Sequence, residues 1–205
     1  MTAGSGIVHS ERTPQRERET GSPLYGMQTW LALPDGKEDI DPAFEHVRDG
    51  GLPLVEGDGV SARVLMGSLW GKTAATTQHA ATIYADVRLD AGASVAVDAE
   101  ADERAVLLVE GAAYLDRQPL ERFALTILAP GQPMTLAATM PSRLMLLGGE
   151  AFATPRHVWW NFVSSSRDRI REAKRDWQAG NFPLVPGDEE EFIPIPAVPK
   201  TVSYP

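Results

Sequence analysis

The sequence predicts an all-β protein, a small sandwich or barrel, and three observations carry that prediction. Its 16 prolines and 18 glycines in 205 residues interrupt the chain about every six positions, too often for long helices. From Val60 onward, about eight short apolar-rich runs are separated by turn signals every 8 to 12 residues or so, as in sandwiches and barrels. Only the stretch around Asp168 to Gln178 carries a convincing helical period. With 43% hydrophobic residues, the 22.2 kDa chain can bury a real core in one large domain or two small ones.

The first eleven residues, MTAGSGIVHSE, hold the one spacing that demands a chemical reason. A strand from Gly6 to Glu11, following the Gly4-Ser5-Gly6 turn, would set His9 and Glu11 on one face, because strand side chains alternate. An imidazole and a carboxylate so placed are half of a site for divalent iron, manganese, copper or zinc, which needs about three or four protein ligands. Spacing alone equally allows a surface pair at a strand end. The charged run RTPQRERETGSP reads as an exposed loop. Leu24 to Leu33 reads as a strand, with Tyr25, Met27, Thr29, Leu31 and Leu33 alternating against Leu24, Gly26, Gln28, Trp30 and Ala32. Apolar groups on both faces predict cover on both sides. Pro34-Asp35-Gly36-Lys37 is a turn, and a polar connection through Pro42, Phe44 and His46 leads to Gly50-Gly51.

Glu56-Gly57-Asp58-Gly59 reads as a boundary between residues 1–55 and a barrel over residues 56–150. Strands are predicted at Val60–Met66, Thr82–Leu89, Ser94–Val97, Arg104–Glu110, Ala112–Leu115, Phe123–Leu128, Met134–Ala138 and Ser142–Leu147, with Gly148-Gly149 as a turn. In residues 151–205, Ser165 or Ser166 can cap a helix that Gly180 stops, with Ile170, Ala173 and Trp177 on one face. The proline-rich stretch from Phe182 must be extended, and its apolar residues predict an arm packed on the protein.

Nineteen basic residues against 28 acidic ones give a net charge of −9, a field that repels phosphate backbones and argues against direct nucleic-acid binding. The absence of cysteine removes thiolate and disulfide chemistry and agrees with a reducing cytoplasm. No run approaches the roughly 18 apolar residues of a membrane span. His79 reads as a solvated loop residue, His157 as a partly buried hydrogen-bonding one, and Asp188 to Glu191 as a solvated acidic turn. Trp159-Trp160-Asn161-Phe162 is core packing or an aromatic wall for a flat phenolic substrate.

MTAGSGIVHSE, YGMQTWLALP with EDIDPAFEHV, ARVLMGSLWG, and RHVWWNFVSSSRDRIREAKRDWQAGNFPLVPGDEEEFIPIP together resemble the pirin family of bicupins over essentially the whole chain. The resemblance implies cupin barrels of the double-stranded β-helix or jelly-roll type. Residues 1–55 would be a remnant of an N-terminal barrel, 56–150 a complete C-terminal barrel, and 151–205 a helix and packing arm. In that family the first barrel holds one metal ion through three histidines and a glutamate, and the segment matching GIVHSE supplies one histidine and the glutamate. Those ligands map onto His9 and Glu11. The other two family histidines form an earlier H-x-H pair that this sequence does not contain, and His46, His79 and His157 match none of the ligand positions.

The resemblance further implies one divalent ion, iron foremost, with manganese, copper, nickel, zinc and cobalt as alternatives. In some members it supports quercetin-type flavonol 2,3-dioxygenase activity, with Glu11 in the position of a ligand that can also accept a proton. Without the histidine pair, that activity is expected to be impaired. The alternative is a non-enzymatic regulator that binds a transcription factor or a metabolic enzyme. The implied partners are therefore a flavonol-like small molecule or another protein. If strands that should precede Tyr25 to Leu33 are missing, exposed edges there favour a homo-oligomer.

Overall fold

The computed structural model describes residues 1–196 and the backbone of Thr201–Ser203. The chain divides into two compact units, Glu45–Ala151 and the pair of segments Met1–Phe44 with Phe152–Pro205.

In the Glu45–Ala151 unit the alternating runs become a two-sheet barrel. The strands are β1 (Leu54–Gly57), β2 (Val60–Leu69), β3 (Lys72–Thr73), β4 (Thr82–Leu89), β5 (Ser94–Val97), β6 (Glu103–Glu110), β7 (Ala113–Leu115), β8 (Gln118–Pro119), β9 (Leu125–Ile127), β10 (Met134–Ala138) and β11 (Ser142–Gly149). One sheet runs β1-β2-β4-β11-β6-β9, with β3 paired to β2, and the other runs β5-β10-β7-β8. Ala85, Val87 and Leu89 of β4 and Leu144 and Leu146 of β11 fall on one face and join Val64, Val97, Val106, Leu108, Leu115 and Leu136 in an aliphatic core. On the opposite face, Arg143 grips Asp86 of the neighbouring strand through two hydrogen bonds of 2.8 and 2.7 Å.

Glu56-Gly57-Asp58-Gly59 is not a break between domains. It lies at the turn of an antiparallel hairpin in which Leu54 to Gly57 pair with Arg63 to Val60. Gly148-Gly149 is likewise strand and not turn, paired to both β4 and β6. A Cβ on Gly148 would lie 2.6 Å from the Glu103 carbonyl and 3.2 Å from Cγ of Arg104, so the glycine provides room for a buried arginine. Gly67, at φ +80°, lets β2 pass so close to β4 that a Cβ would stand 1.6 Å from the Thr82 carbonyl oxygen.

Arg104 is almost wholly buried although no carboxylate is among its hydrogen-bond acceptors. Its Nη1 donates to the carbonyls of Asp98 (2.7 Å) and Val97 (3.3 Å), and its Nη2 to those of Ala129 (2.6 Å) and Gln132 (2.7 Å). A guanidinium rooted in the larger sheet therefore fastens the end of β5 and the turn before β10 in the smaller one.

The Met1–Phe44 and Phe152–Pro205 unit contains α1 (Gln15–Thr20), β12 (His157–Trp159), β13 (Phe162–Ser164), α2 (Arg167–Ala179) and β14 (Thr201–Ser203). The three strands form a sheet in the order β13-β12-β14. Helix α2 begins where Ser166 accepts from the Arg169 amide and ends at Gly180 in the left-handed conformation, as its caps predict. Arg156 is buried and pairs with Asp35 (2.7 Å) and Glu38 (3.3 Å), and it also donates to the Leu33 carbonyl (2.7 Å). Hydrogen bonds from Thr154, then from Arg156, hold the Asp35 carboxyl below its ordinary range.

Three expectations for this unit are corrected. Gly6 to Glu11 is not a strand; only Thr2 bridges, to Ala43. Leu24 to Leu33 belongs to no strand and is not covered, with Leu24, Tyr25, Met27, Trp30 and Leu31 exposed. An apolar alternation becomes a strand only where a ladder partner exists, and none is assigned here among the described residues. The charged run after Glu11 forms the short exposed helix α1 and not a loop, with Pro14 presetting its entry. The packed arm is seen in part: Phe182 stacks on Phe162, and Trp177 donates to the Ile193 carbonyl at 2.9 Å, whereas residues 197–200 and 204–205 lie outside the described residues.

Candidate functional site

His9 and Glu11 lie on a segment that is fastened at both ends. Upstream, the Ser5 amide donates to the Ile40 carbonyl at 2.9 Å, and Thr2 and Ala43 exchange backbone hydrogen bonds of 2.8 and 3.0 Å. Gly6 lies against Phe182, whose ring would be 3.1 Å from an added Cβ. Downstream, Arg12 forms paired hydrogen bonds of 2.7 Å with both oxygens of Asp188 and a third, of 2.5 Å, with Glu191. Between these anchors Ile7 and Val8 are half-buried, while His9, Ser10 and Glu11 are exposed.

Asp188 to Glu191 is therefore more than a solvated acidic turn. The Arg12 guanidinium, followed by the Ser10 hydroxyl, holds the Asp188 carboxyl down to about 2. A group depressed in the folded state contributes stability above its ordinary pKa of about 3.9, and that contribution disappears as pH falls through the folded value. An NMR titration is expected to give Asp188 a midpoint near 2. Arg12→Gln should move it up toward about 3.9. An unchanged midpoint in that variant would show that Arg12 does not fasten the turn.

The aromatic run is interior packing. Trp159 is only 3% exposed and stacks on Phe162 at 6.1 Å, and Phe162 stacks on Phe182 at 5.9 Å. Trp160 and Trp177 meet edge to face at 5.4 Å, and Lys174 caps the Trp159 ring at 5.0 Å. These rings are occupied by one another, and through Phe182 they support the backbone that carries His9.

The donor set does not fit a self-sufficient metal centre. Among the described residues, no group of three or more histidine, aspartate and glutamate side chains gathers where an ion could sit. His9 and Glu11 supply two donors on exposed irregular backbone, and the strand geometry that would set them on one face is not formed. In the Glu45–Ala151 unit the hydrophobic core cluster is built of aliphatic side chains, and the buried Asp86 carboxylate is held by Arg143. His46 is exposed, and His79 and His157 are half-buried and belong to different units.

A filled two-sheet barrel of this kind, with a helix and arm following it in sequence, defines a cupin. The sequence profile described as the pirin C-terminal cupin domain matches residues 84–183. A pirin-like protein of Caulobacter vibrioides is 42% identical over 96% of this chain and 68% of its own length. The chain belongs to the pirin family. A Pseudomonas aeruginosa protein, provisionally named a quercetin 2,3-dioxygenase, is 31% identical over 88% of this chain and 56% of its own length. The crystal structure of a quercetin 2,3-dioxygenase from Acinetobacter baumannii superposes with a TM-score of 0.75 at 29% identity, covering 83% of this chain and 57% of that one. The chain thus spans between just over half and about two thirds of the length of these relatives.

Among the described residues, no helix is long and apolar enough to cross a membrane.

Proposed function

We propose that this chain is a pirin-type cupin in which His9 and Glu11 are two ligands of one divalent metal, iron foremost, and that alone it turns over quercetin-type flavonols weakly or not at all. The observation that carries this reading is a pair of exposed donors on a doubly anchored segment with, among the described residues, no group of three ligating side chains. Two ligands of four hold a transition metal loosely, because chelation by the full set supplies most of the affinity. The names of the Pseudomonas and Acinetobacter relatives support flavonol oxidation as the chemistry of the longer proteins. The metals to be compared are iron, manganese, copper, nickel, zinc and cobalt.

Calorimetric titration of the purified chain with each metal, alongside loss of quercetin absorbance under dioxygen, tests this reading. Weak binding that His9→Ala and Glu11→Gln abolish, with turnover near background, is the expected result. Tight stoichiometric binding that survives both substitutions, or rapid turnover by the His9→Ala variant, overturns it.

A second reading, a non-enzymatic regulator of a transcription factor or metabolic enzyme in the cytoplasm, is favoured by the barrel of residues 45–151. Its core cluster is aliphatic, so recognition by its surface is the reading that fits. The net charge of −9 suits a basic protein surface better than a phosphate backbone. Partner binding unchanged by His9→Ala supports this reading over the first.

A further inference from the structure

We infer that the C-terminal arm is a strap on the His9–Glu11 segment, and that Arg12 and Asp188 are positioning residues for those two side chains. The role rests on the metal-donor reading of His9 and Glu11 proposed above. Both segments belong to the Met1–Phe44 and Phe152–Pro205 unit. Among the described residues, Ile7 to Thr13 make no backbone–backbone hydrogen bond, so neither ladder nor helix holds this stretch. Side chains hold it instead. Ser10 and Arg12, the two neighbours of Glu11, grip one carboxylate: the Ser10 hydroxyl donates to Asp188, and Arg12 spans both of its oxygens at 2.7 Å and reaches Glu191. Upstream, Gly6 lies against the Phe182 ring, which is stacked on Phe162 at 5.9 Å and meets Trp177 edge to face at 5.4 Å.

The arm that makes these contacts is itself fixed. The Asp188 amide donates to the Val185 carbonyl at 3.0 Å across a turn in which Gly187 stands at φ +80°. Beyond the turn, the Ile193 carbonyl accepts from Trp177 of α2 at 2.9 Å. Arg12 and Asp188 are 176 residues apart in sequence, so the clasp ties the donor segment to elements that follow the barrel. A pair this open, with 53% of the Arg12 side chain exposed, adds little to global stability. Its effect is local, because a segment that holds its donors in place for part of the time binds an ion in proportion to that part.

Charge and position predict opposite outcomes. If the acidic turn merely drew cations by its field, Arg12→Gln, which removes a positive charge, would strengthen binding, and Asp188→Asn would weaken it. A strap is cut by either substitution, so both variants should bind more weakly. Backbone amide relaxation and manganese(II) line broadening at Ser10, Glu11 and Arg12 read order and affinity by NMR, before and after the ion is added. Order parameters of about 0.85 should fall toward about 0.6 in both variants. The manganese dissociation constant should rise in both by about fivefold, the most that an exposed pair confers. Arg12→Asp combined with Asp188→Arg rebuilds the pair in reverse and should regain most of both losses. Unchanged order parameters in Arg12→Gln overturn the inference. So does tighter manganese binding in that variant with weaker binding in Asp188→Asn. Broadening at Glu11 that His9→Ala leaves intact overturns the donor reading and the positioning role together, and falling order parameters in that case show a strap without a metal site.

Discussion

Arg104→Met is expected to destabilise the barrel by about 4 kcal/mol, the cost of leaving buried carbonyls without their charged donor. The methionine matches the stem in length and apolar character, so the loss comes from the guanidinium. Four backbone carbonyls, those of Val97, Asp98, Ala129 and Gln132, would lose their shared donor at once. Water cannot easily replace it, because Arg104 is 2% exposed. Arg104→Lys should fall between, since an ammonium retains the charge but cannot span four acceptors held to the two ends of a planar fork. Urea denaturation followed by circular dichroism checks both. Wild-type stability in Arg104→Met would show that the four carbonyls find other partners.

Trp159→Ala is expected to cost the other unit about 3–5 kcal/mol, the range for truncating a buried tryptophan. Trp159 anchors the stack that continues through Phe162 to Phe182, and Lys174 lies over its face. Phe182 in turn contacts Gly6, so the variant should also loosen the backbone preceding His9. Near-UV circular dichroism should lose much of its aromatic signal while the far-UV strand signal of the barrel persists, because the barrel's core cluster includes none of these rings. An unchanged near-UV spectrum and melting temperature would mean that the aromatic run is not the core of its unit.

Much of the barrel could be read directly. Thr82–Leu89, Ser94–Val97 and Met134–Ala138 are strands with the expected limits, because their apolar alternation is uninterrupted and turn residues bound each one. Helix α2 was equally legible, since Ser166 and Gly180 act within one turn of the residues they terminate. Gly148-Gly149 misled because a glycine pair signals a turn in most contexts. Here it marks close approach, and the arginine that requires the space lies more than forty residues earlier. The Arg12–Asp188 clasp left no local sign for the same reason: the partners are 176 residues apart.

For the candidate site, the sequence alone singled out His9 and Glu11 by residue type and spacing, and through its motifs pointed to the family. Side-chain type and short-range periodicity are properties of the chain itself, and they survive any uncertainty about the fold. Only the tertiary structure decided that these two residues stand exposed on irregular backbone, that Leu24 to Leu33 lies outside any assigned sheet, and that Arg104 is held by carbonyls. A ladder, a buried charge or a metal shell exists only when distant residues supply the second partner, and no local pattern encodes whether they do.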